Sequence, residues 1–325
     1  MLLHSFYIFT GFALLMWGAD RFISGAGSLA SAFGVPPLLI GLTVVGFATS
    51  APEILVSVSA ASAGLTNLAV GNALGSNIAN IGLVLGTTAV IAPICGELSA
   101  TLRKEMPVLV LLTPATLFLF IDGSLDLVDA LILLIGLMVF LYWMTRTGIK
   151  MNSGDLSDQD LEEDVNIHLD LRPAILWLIV GFLTLIFGAQ LLVNGAEFVA
   201  RELGLSEVVI GATIVAVGTS LPELAVSVVS AYKGHPGIAI GNVIGSNVFN
   251  LLAVVGVAGL VNPATLDSSI LTLHYPVMII FTFALLRIAY NPFGKKGMGR
   301  LMGFCLLAGF IGYQLMLFTG SESLL

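Results

Sequence analysis

Gly41 to Gly86 returns at Gly211 to Gly256 with a constant shift of 170 positions and no insertion, and 21 of the 46 positions are identical. A chain that repeats itself at this density is one structural unit built twice, so its fold has to contain that unit in two copies. In the first copy an apolar run is interrupted by Gly46-Phe47-Ala48-Thr49-Ser50-Ala51-Pro52-Glu53, and in the second by Ala216-Val217-Gly218-Thr219-Ser220-Leu221-Pro222-Glu223. Each interruption is followed by Gly-Asn-x-x-Gly-Ser-Asn-x-x-Asn, from Gly71 to Asn80 and from Gly241 to Asn250. The same shift pairs Gly18-Ala19 with Gly188-Ala189 and Gly25-Ala26 with Gly195-Ala196, which extends the repeat over each half.

Between the motifs the chain is too apolar for an aqueous fold. Of 325 residues 57% are hydrophobic and 10% charged, with a mean hydropathy of +1.03. One water-surrounded core cannot hide that much apolar surface, so the solvent is largely lipid. Runs of spanning length fall at 5–32, 36–63, 67–94, 105–121 and 125–145, then at 173–202, 206–232, 237–262, 270–290 and 299–319. Each is near the roughly 20 residues that a bilayer requires. The expected fold is an all-α integral membrane protein of ten transmembrane helices: a first five-helix repeat at 1–146, an acidic cytoplasmic linker at 147–171 and a second five-helix repeat at 172–325. Because each half holds an odd number of spans, the second enters the membrane from the opposite side. The halves are then inverted repeats with broken helices at the centre, an arrangement associated with alternating access.

Basic residues set the expected orientation. With the amino terminus outside, Arg21, Arg103, Lys104, Arg146, Lys150, Arg172, Lys233, Arg287, Lys295, Lys296 and Arg300 fall on or near cytoplasmic ends, with Arg201 the exception. Both termini are therefore expected on the extracellular or periplasmic side of a plasma (inner) membrane. Met1-Leu2-Leu3-His4 has no basic segment before its apolar run, so no cleaved signal is expected. The net charge of -8 belongs mostly to the linker, since seven of the 20 acids lie between Asp155 and Asp170. That run lacks the alternate ligands and central glycine of an EF-hand loop and reads as solvated, with weak calcium attraction left open. Cys95 and Cys305 read as isolated packing residues, with no disulfide framework and no metal spacing.

The interruptions carry the chemistry. Pro52 has no amide proton, so the carbonyl of Ala48 is expected to lose its helical partner and the helix to kink. Inside a bilayer such irregular backbone persists only when buried in protein or lining a wet cavity. Thr49 and Ser50 stand four and three residues before Glu53, which gathers oxygens on one face, and Thr219, Ser220 and Glu223 repeat the pattern. Locally, Ser50-x-x-Glu53 also reads as a capping box with Pro52 in the first turn. Capping alone does not explain an ionisable group inside a long apolar run, twice, at a cost of roughly 2.5 kcal/mol or more. The carboxylates therefore read as a cation site. Asn72, Ser76 and Asn80 form a polar stripe with Gly71 and Gly75 beside it, matched by Asn242, Ser246, Asn250, Gly241 and Gly245. Ser76, Asn80, Ser246 and Asn250 are candidates to face the glutamates. For Asn72, Asn77, Asn242 and Asn247, interhelical hydrogen bonding is an equal alternative. Carboxylates mixed with hydroxyls, amides and carbonyls suit hard cations such as calcium. His4, His168, His235 and His274 lie near expected helix ends and read as interface or loop residues.

Through Gly-x-Ala-Thr-Ser-Ala-Pro-Glu53 and Gly71-Asn-x-x-Gly-Ser-Asn-x-x-Asn80, with their second copies, the chain resembles the sodium/calcium exchanger family of the calcium/cation antiporters. The likeness covers nearly the whole chain. It implies that the motifs are the family's alpha repeats, building a central cluster of cation sites. It further implies that Glu53 and Glu223 hold calcium, with oxygens from Thr49, Ser50, Thr219 and Ser220. Gly46 and Ala216 would offer backbone carbonyls, and Ser76, Ser246, Asn80 and Asn250 would complete the sodium and central sites. Two departures stand out. Ala48 replaces the glycine found at Gly218 and is expected to stiffen the first break. Asn250 stands where potassium-dependent and archaeal relatives have aspartate, which argues against potassium dependence. The short linker has none of the regulatory calcium-binding domains of animal exchangers, which fits a compact prokaryotic form.

The expected activity is secondary antiport of calcium against sodium, with the two ions and the bilayer as partners. No cofactor, enzymatic activity, nucleic acid or protein partner is expected. A proton/calcium antiporter is the alternative, since a desolvated glutamate also carries protons. A cation channel is a further alternative, disfavoured by inverted repeats with broken helices. An intramembrane hydrolase lacks a base, because none of the four histidines lies in the repeated polar core.

Overall fold

The computed structural model describes residues 2–33, 37–95, 100–152, 171–202, 216–290 and 297–322. The acidic run at 153–170, with His168 and the expectations stated for them, lies outside the described residues, as does 203–215 in the seventh apolar run. The first half consists of α1 (Leu2–Phe33), α2 (Pro37–Ile40), π1 (Gly41–Val45), α3 (Gly46–Thr49), α4 (Ala51–Ser62), α5 (Thr66–Ala79), π2 (Asn80–Leu85), α6 (Gly86–Ile91), α7 (Ala100–Leu119) and α8 (Leu127–Asn152). The second half consists of α9 (Leu171–Glu202), α10 (Ala216–Thr219), α11 (Leu221–Tyr232), α12 (Pro236–Phe249), π3 (Asn250–Val254), α13 (Val255–Val261), π4 (Ile270–His274), α14 (Tyr275–Ala289) and α15 (Arg300–Glu322). The π segments are wider turns inside otherwise α-helical spans, a local irregularity frequent at functional sites. Two of them start at Asn80 and Asn250, equivalent positions of the repeat.

Seven helices among the described residues are long and apolar enough to cross a membrane, and the bent pair Gly41–Thr49 with Ala51–Ser62 makes eight if counted as one span. Met106–Leu119 and Leu221–Tyr232 are apolar but shorter. The first of these is shortened by Arg103, Lys104 and Glu105, which end its apolar stretch, and the second starts after the break at Ser220, with 203–215 of its apolar run outside the described residues. At the linker boundary α8 continues to Asn152, past the apolar run expected to end at 145. The protein is thus an integral membrane protein built almost wholly of helix.

Burial separates centre from rim. The span Pro236–Val261 is 89% buried and Thr66–Ile91 72%, against 22% for Arg300–Leu317 and 28% for Leu127–Arg146. The two central spans are those that carry Gly-Asn-x-x-Gly-Ser-Asn-x-x-Asn, so the repeated motif occupies the middle of the molecule. The rim presents Phe6, Phe9, Phe12, Ile135, Met138 and other large apolar side chains outward, as a lipid solvent demands. Cys305 is on this rim and exposed, not packed inside, because α15 touches its neighbours along one face only.

Contacts between the halves come in matching pairs. α4 packs on π3 and α13 while α11 packs on π2 and α6; α8 lies on α13 while α15 lies on α6. Short antiparallel ladders join Ile94–Cys95 to Gly297–Met298 and Ser124–Leu125 to Ala264–Thr265. The largest contact is α1 against α9. Gly11, Gly18 and Gly25 lie one every seven residues on α1, and Gly181, Gly188 and Gly195 do the same on α9. A Cβ on Gly18 would stand 2.9 Å from the Leu185 amide nitrogen, and one on Gly188 2.8 Å from that of Leu15, so only glycine lets these backbones meet. Lys233, at the end of α11, ties the core to α1 through Asp20 Oδ1 at 2.6 Å and Ser24 Oγ at 3.2 Å. Beside it the Arg21 guanidinium lies 4.5 Å from the centre of the Trp177 ring. Arg21 and Lys233, both expected at cytoplasmic ends, lie beside the same carboxylate, Asp20.

Candidate cation site

The two helix breaks have the same backbone shape. Ser50 has φ −82° and ψ 0°, Ser220 φ −89° and ψ 5°, and each is followed by a proline in the first turn of the next helix. Alanine at 48 in place of glycine therefore leaves the form of the first break unchanged. The first span bends by 45° there. The expected capping box is not made: neither Ser50 nor Ser220 gives a side-chain cap. The backbone instead carries its own bonds across the bend, with the Ser50 amide donating to Gly46 O at 3.1 Å and the Ile54 amide to Ser50 O at 3.1 Å. Amides at the end of α3 also close onto the carbonyls of Gly46 and Ala48, so the Ala48 carbonyl is not left open as expected. A proline bend that mends its own backbone leaves its side-chain oxygens for other uses.

Those oxygens are buried. Glu53 and Glu223 are each 1% exposed, and Thr49, Ser50, Ser76, Asn80, Ser220, Ser246 and Asn250 are buried with them. Thr219 is half-buried; Ala216 opens α10, its side chain outside those described. Nine buried oxygens have no hydrogen-bond partner among the described residues, and six of them belong to the motifs in matching positions: Ser50 Oγ and Ser220 Oγ, Glu53 Oε2 and Glu223 Oε2, Asn80 Oδ1 and Asn250 Oδ1. They form three pairs whose members are 170 positions apart. An unsatisfied buried polar atom costs about 1–3 kcal/mol and calls for an explanation. Three such pairs repeated in register are a constellation of acceptors rather than scattered defects. Among the described residues no three His, Cys, Asp or Glu cluster, so the donor set is two carboxylates and neutral oxygens, the chemistry of hard cations.

Asparagines frame the acceptors. Asn77 Nδ2 donates to the carbonyl of Asn247 at 3.2 Å, and Asn247 Nδ2 to the carbonyl of Asn77 at 3.4 Å. Asn80 Nδ2 donates to Asn247 Oδ1 and Asn250 Nδ2 to Asn77 Oδ1, both at 3.1 Å. For Asn77 and Asn247 the interhelical reading therefore holds. Asn242 also bonds between elements, donating to Ser227 Oγ at 3.0 Å and the Glu223 carbonyl at 3.3 Å while accepting from Thr49 Oγ1 at 2.9 Å. Through Asn242 the Thr49 hydroxyl is linked to the Glu223 carbonyl, which joins the first break to the second glutamate. Ser246 Oγ lies 3.3 Å from Thr49 Oγ1 and donates to the Gly46 carbonyl at 3.4 Å. That carbonyl, expected to face an ion, is already engaged by the Ser50 amide. Ser57 and Ser227 are absent from the candidates that spacing supplies, although both stand four residues after a glutamate at matching positions, a signal the repeat contains.

π1 and α3 are seated on α12: a Cβ on Gly46 would come 3.1 Å from the Gly245 backbone, and one on Gly245 would overlap the Leu42 carbonyl. At the equivalent glycines of the first half, Gly71 and Gly75, a Cβ would meet none of the described residues within 4 Å, and Ala212, the counterpart of Leu42, lies outside those described. Ser57 Oγ and Asn72 Nδ2 lack the hydrogen bonds that Ser227 and Asn242 make to each other. A cavity of about 160 Å³ is lined by Pro52, Gln190, Val193, Gly218, Thr219 and Pro222 among others, reaching both breaks.

Comparison with known proteins gives the same grouping. CaxA of Alkalimonas amylolytica is 40% identical over 319 residues, covering 98% of this chain and 100% of that one. The sodium/calcium exchanger MaX1 of Methanosarcina acetivorans is 30% identical over 342 residues, covering 95% and 96%. The solved structure of the sodium-calcium exchanger NCX_Mj, soaked with sodium and calcium, superposes with a TM-score of 0.81 at 33% identity, over 96% of this chain and 97% of that one. The sequence profile of the sodium/calcium exchanger proteins matches residues 3–146 and 173–319, so both halves, the two motifs and the buried acceptors between them place this chain in the sodium/calcium exchanger family.

Proposed function

We propose that this antiporter exchanges calcium for sodium by alternating access through a cation site made by Glu53, Glu223 and the oxygens around them. The observation that carries the reading is the set of six buried acceptors without partners in three repeat-related pairs. Each would recover its lost hydrogen bonding by facing a cation. Thr49, Thr219, Ser76, Ser246 and the carbonyls of Gly46 and Ala216 complete the set in other occupancies or in the other conformational state. No resident cofactor takes part.

The two ions compete for one charge balance. With Asn80 and Asn250 neutral, two ionised glutamates give the core about two negative charges, which one calcium or two sodium ions neutralise. A third sodium would leave one positive charge on the loaded carrier. The exchange then moves one net charge per cycle, on which membrane potential acts with roughly 2.3 kcal/mol per 100 mV.

Ten spans in two inverted repeats, 1–146 and 172–325 about the linker, account for the paired contacts. Alternating access then follows from the inverted halves, each able to take up the arrangement of the other and so expose the site to the other side. The plasma membrane of a prokaryote, termini outside, agrees with the basic residues. The test is calcium binding and flux in purified protein: Glu53→Gln and Glu223→Gln should each abolish transport in a folded carrier. A folded Glu223→Gln variant with normal flux contradicts the shared site. Flux driven by a pH gradient alone would instead make this a proton/calcium antiporter.

A further inference from the structure

An asparagine amide can present either its oxygen or its NH2 to a bound cation, and only the oxygen is useful. Asn80 and Asn250 face this choice, and two backbone carbonyls make it for them. A carbonyl only accepts. Asn247 is within 3.4 Å of the Asn77 carbonyl and must turn Nδ2 toward it, so its Oδ1 points the other way, at Asn80. Asn80 must then donate Nδ2 at 3.1 Å, leaving Oδ1 buried and free. The mirror chain runs from the Asn247 carbonyl through Asn77, 3.2 Å away, to Asn250 Nδ2 at 3.1 Å, and again ends in a free buried Oδ1. Each chain starts on the backbone of the residue that orients the other chain. All four side chains are 1% exposed, so water does not compete for these bonds.

We infer that Asn77 and Asn247 are positioning residues that fix the polarity of Asn250 and Asn80, turning an oxygen and not an amino group toward the cation. The inference rests on the cation-site reading above and adds to it how two neutral ligands are kept acceptor-side inward. A metal ligand held by a dedicated outer hydrogen bond typically loses roughly 10- to 100-fold in affinity when that bond is removed. The same is expected here for calcium, because a released Asn80 can turn its NH2 to the ion.

The test is a cycle of calcium affinities, measured by titration calorimetry on purified protein in lipid nanodiscs. Asn247→Leu should weaken calcium binding roughly 10- to 100-fold. In a protein that also carries Asn80→Asp, both side-chain oxygens at position 80 are acceptors and no orientation is needed. There Asn247→Leu should cost nothing, or tighten binding by removing an acceptor aimed at the carboxylate. Asn77→Leu with Asn250→Asp repeats the cycle in the mirror chain. Equal loss in both backgrounds means that Asn247 only packs, and overturns the inference. For variants that do not fold, the unaltered protein supplies a second readout: with 13C-labelled asparagine, calcium should shift the side-chain carbonyl resonances of Asn80 and Asn250 more than those of Asn77 and Asn247. The opposite order would also overturn it. Absence of calcium binding in the unaltered protein would remove the site reading itself, whereas calcium binding with additive losses removes only the orienting role.

Discussion

Ser50 and Ser220 are the residues at which local stability and ion binding pull in opposite directions. Each hydroxyl is buried without a partner, at about 1–3 kcal/mol. Ser50→Ala and Ser220→Ala should therefore leave the ion-free protein as stable as before or more so, while reducing the rise in melting temperature that calcium gives the unaltered protein. Thermal unfolding with and without calcium checks both arms; a large loss of ion-free stability would mean that the hydroxyls hold the breaks together. The carboxylates behave differently, since Glu53→Gln and Glu223→Gln keep shape and remove charge. They should fold, and calcium should no longer stabilise them. Much of this site is legible in the sequence: the glutamates, serines and final asparagines stand out because identical polar residues recur in apolar runs. Direction is not. Sequence spacing cannot tell that Ser50 leaves its cap unmade, nor which end of an asparagine amide faces inward. Both depend on bonds to Gly46, Asn77 and Asn247, which belong to other turns and other helices.

At the scale of elements, Gly245 marks a contact between the halves, since it has no room for a side chain against Leu42. Gly245→Val should then push π1 off α12. Overpacking of about 1–3 kcal/mol against one state lowers its population roughly 5- to 150-fold. Exchange should fall by a factor in that range. Normal exchange by a folded Gly245→Val protein would mean that π1 does not rest on α12 in the working carrier. Prolines announce the breaks well, because a missing amide acts locally. The π turns at Asn80 and Asn250 carry no such local mark, since a wider turn is set by how a span packs on α4 and α11. The seven-residue glycine ladders of α1 and α9 are readable in part, through Gly18 and Gly25, and Gly11 completes the ladder once its partner helix is known.

For the whole molecule, the repeat makes the two-part architecture readable from the residues alone, because a shift of 170 without insertion leaves one way to divide the chain. Span counting is less secure where apolar runs are short, as at Met106–Leu119, since neighbouring protein rather than lipid can bury such a helix. Orientation can be read by side-specific labelling. Cysteines placed in turn at His4, Ser157 and Ser323, on a background lacking Cys95 and Cys305, should be labelled from outside at His4 and Ser323 and from inside at Ser157. External labelling at Ser157 with protected termini would reverse the account. The central claim is met most directly by calcium uptake into sodium-loaded vesicles containing the purified protein, at imposed potentials and without potassium. Uptake should require the outward sodium gradient, increase when the potential favours export of positive charge from the vesicle, and disappear in Glu223→Gln; uptake that runs without a sodium gradient, or survives loss of Glu223, would contradict it.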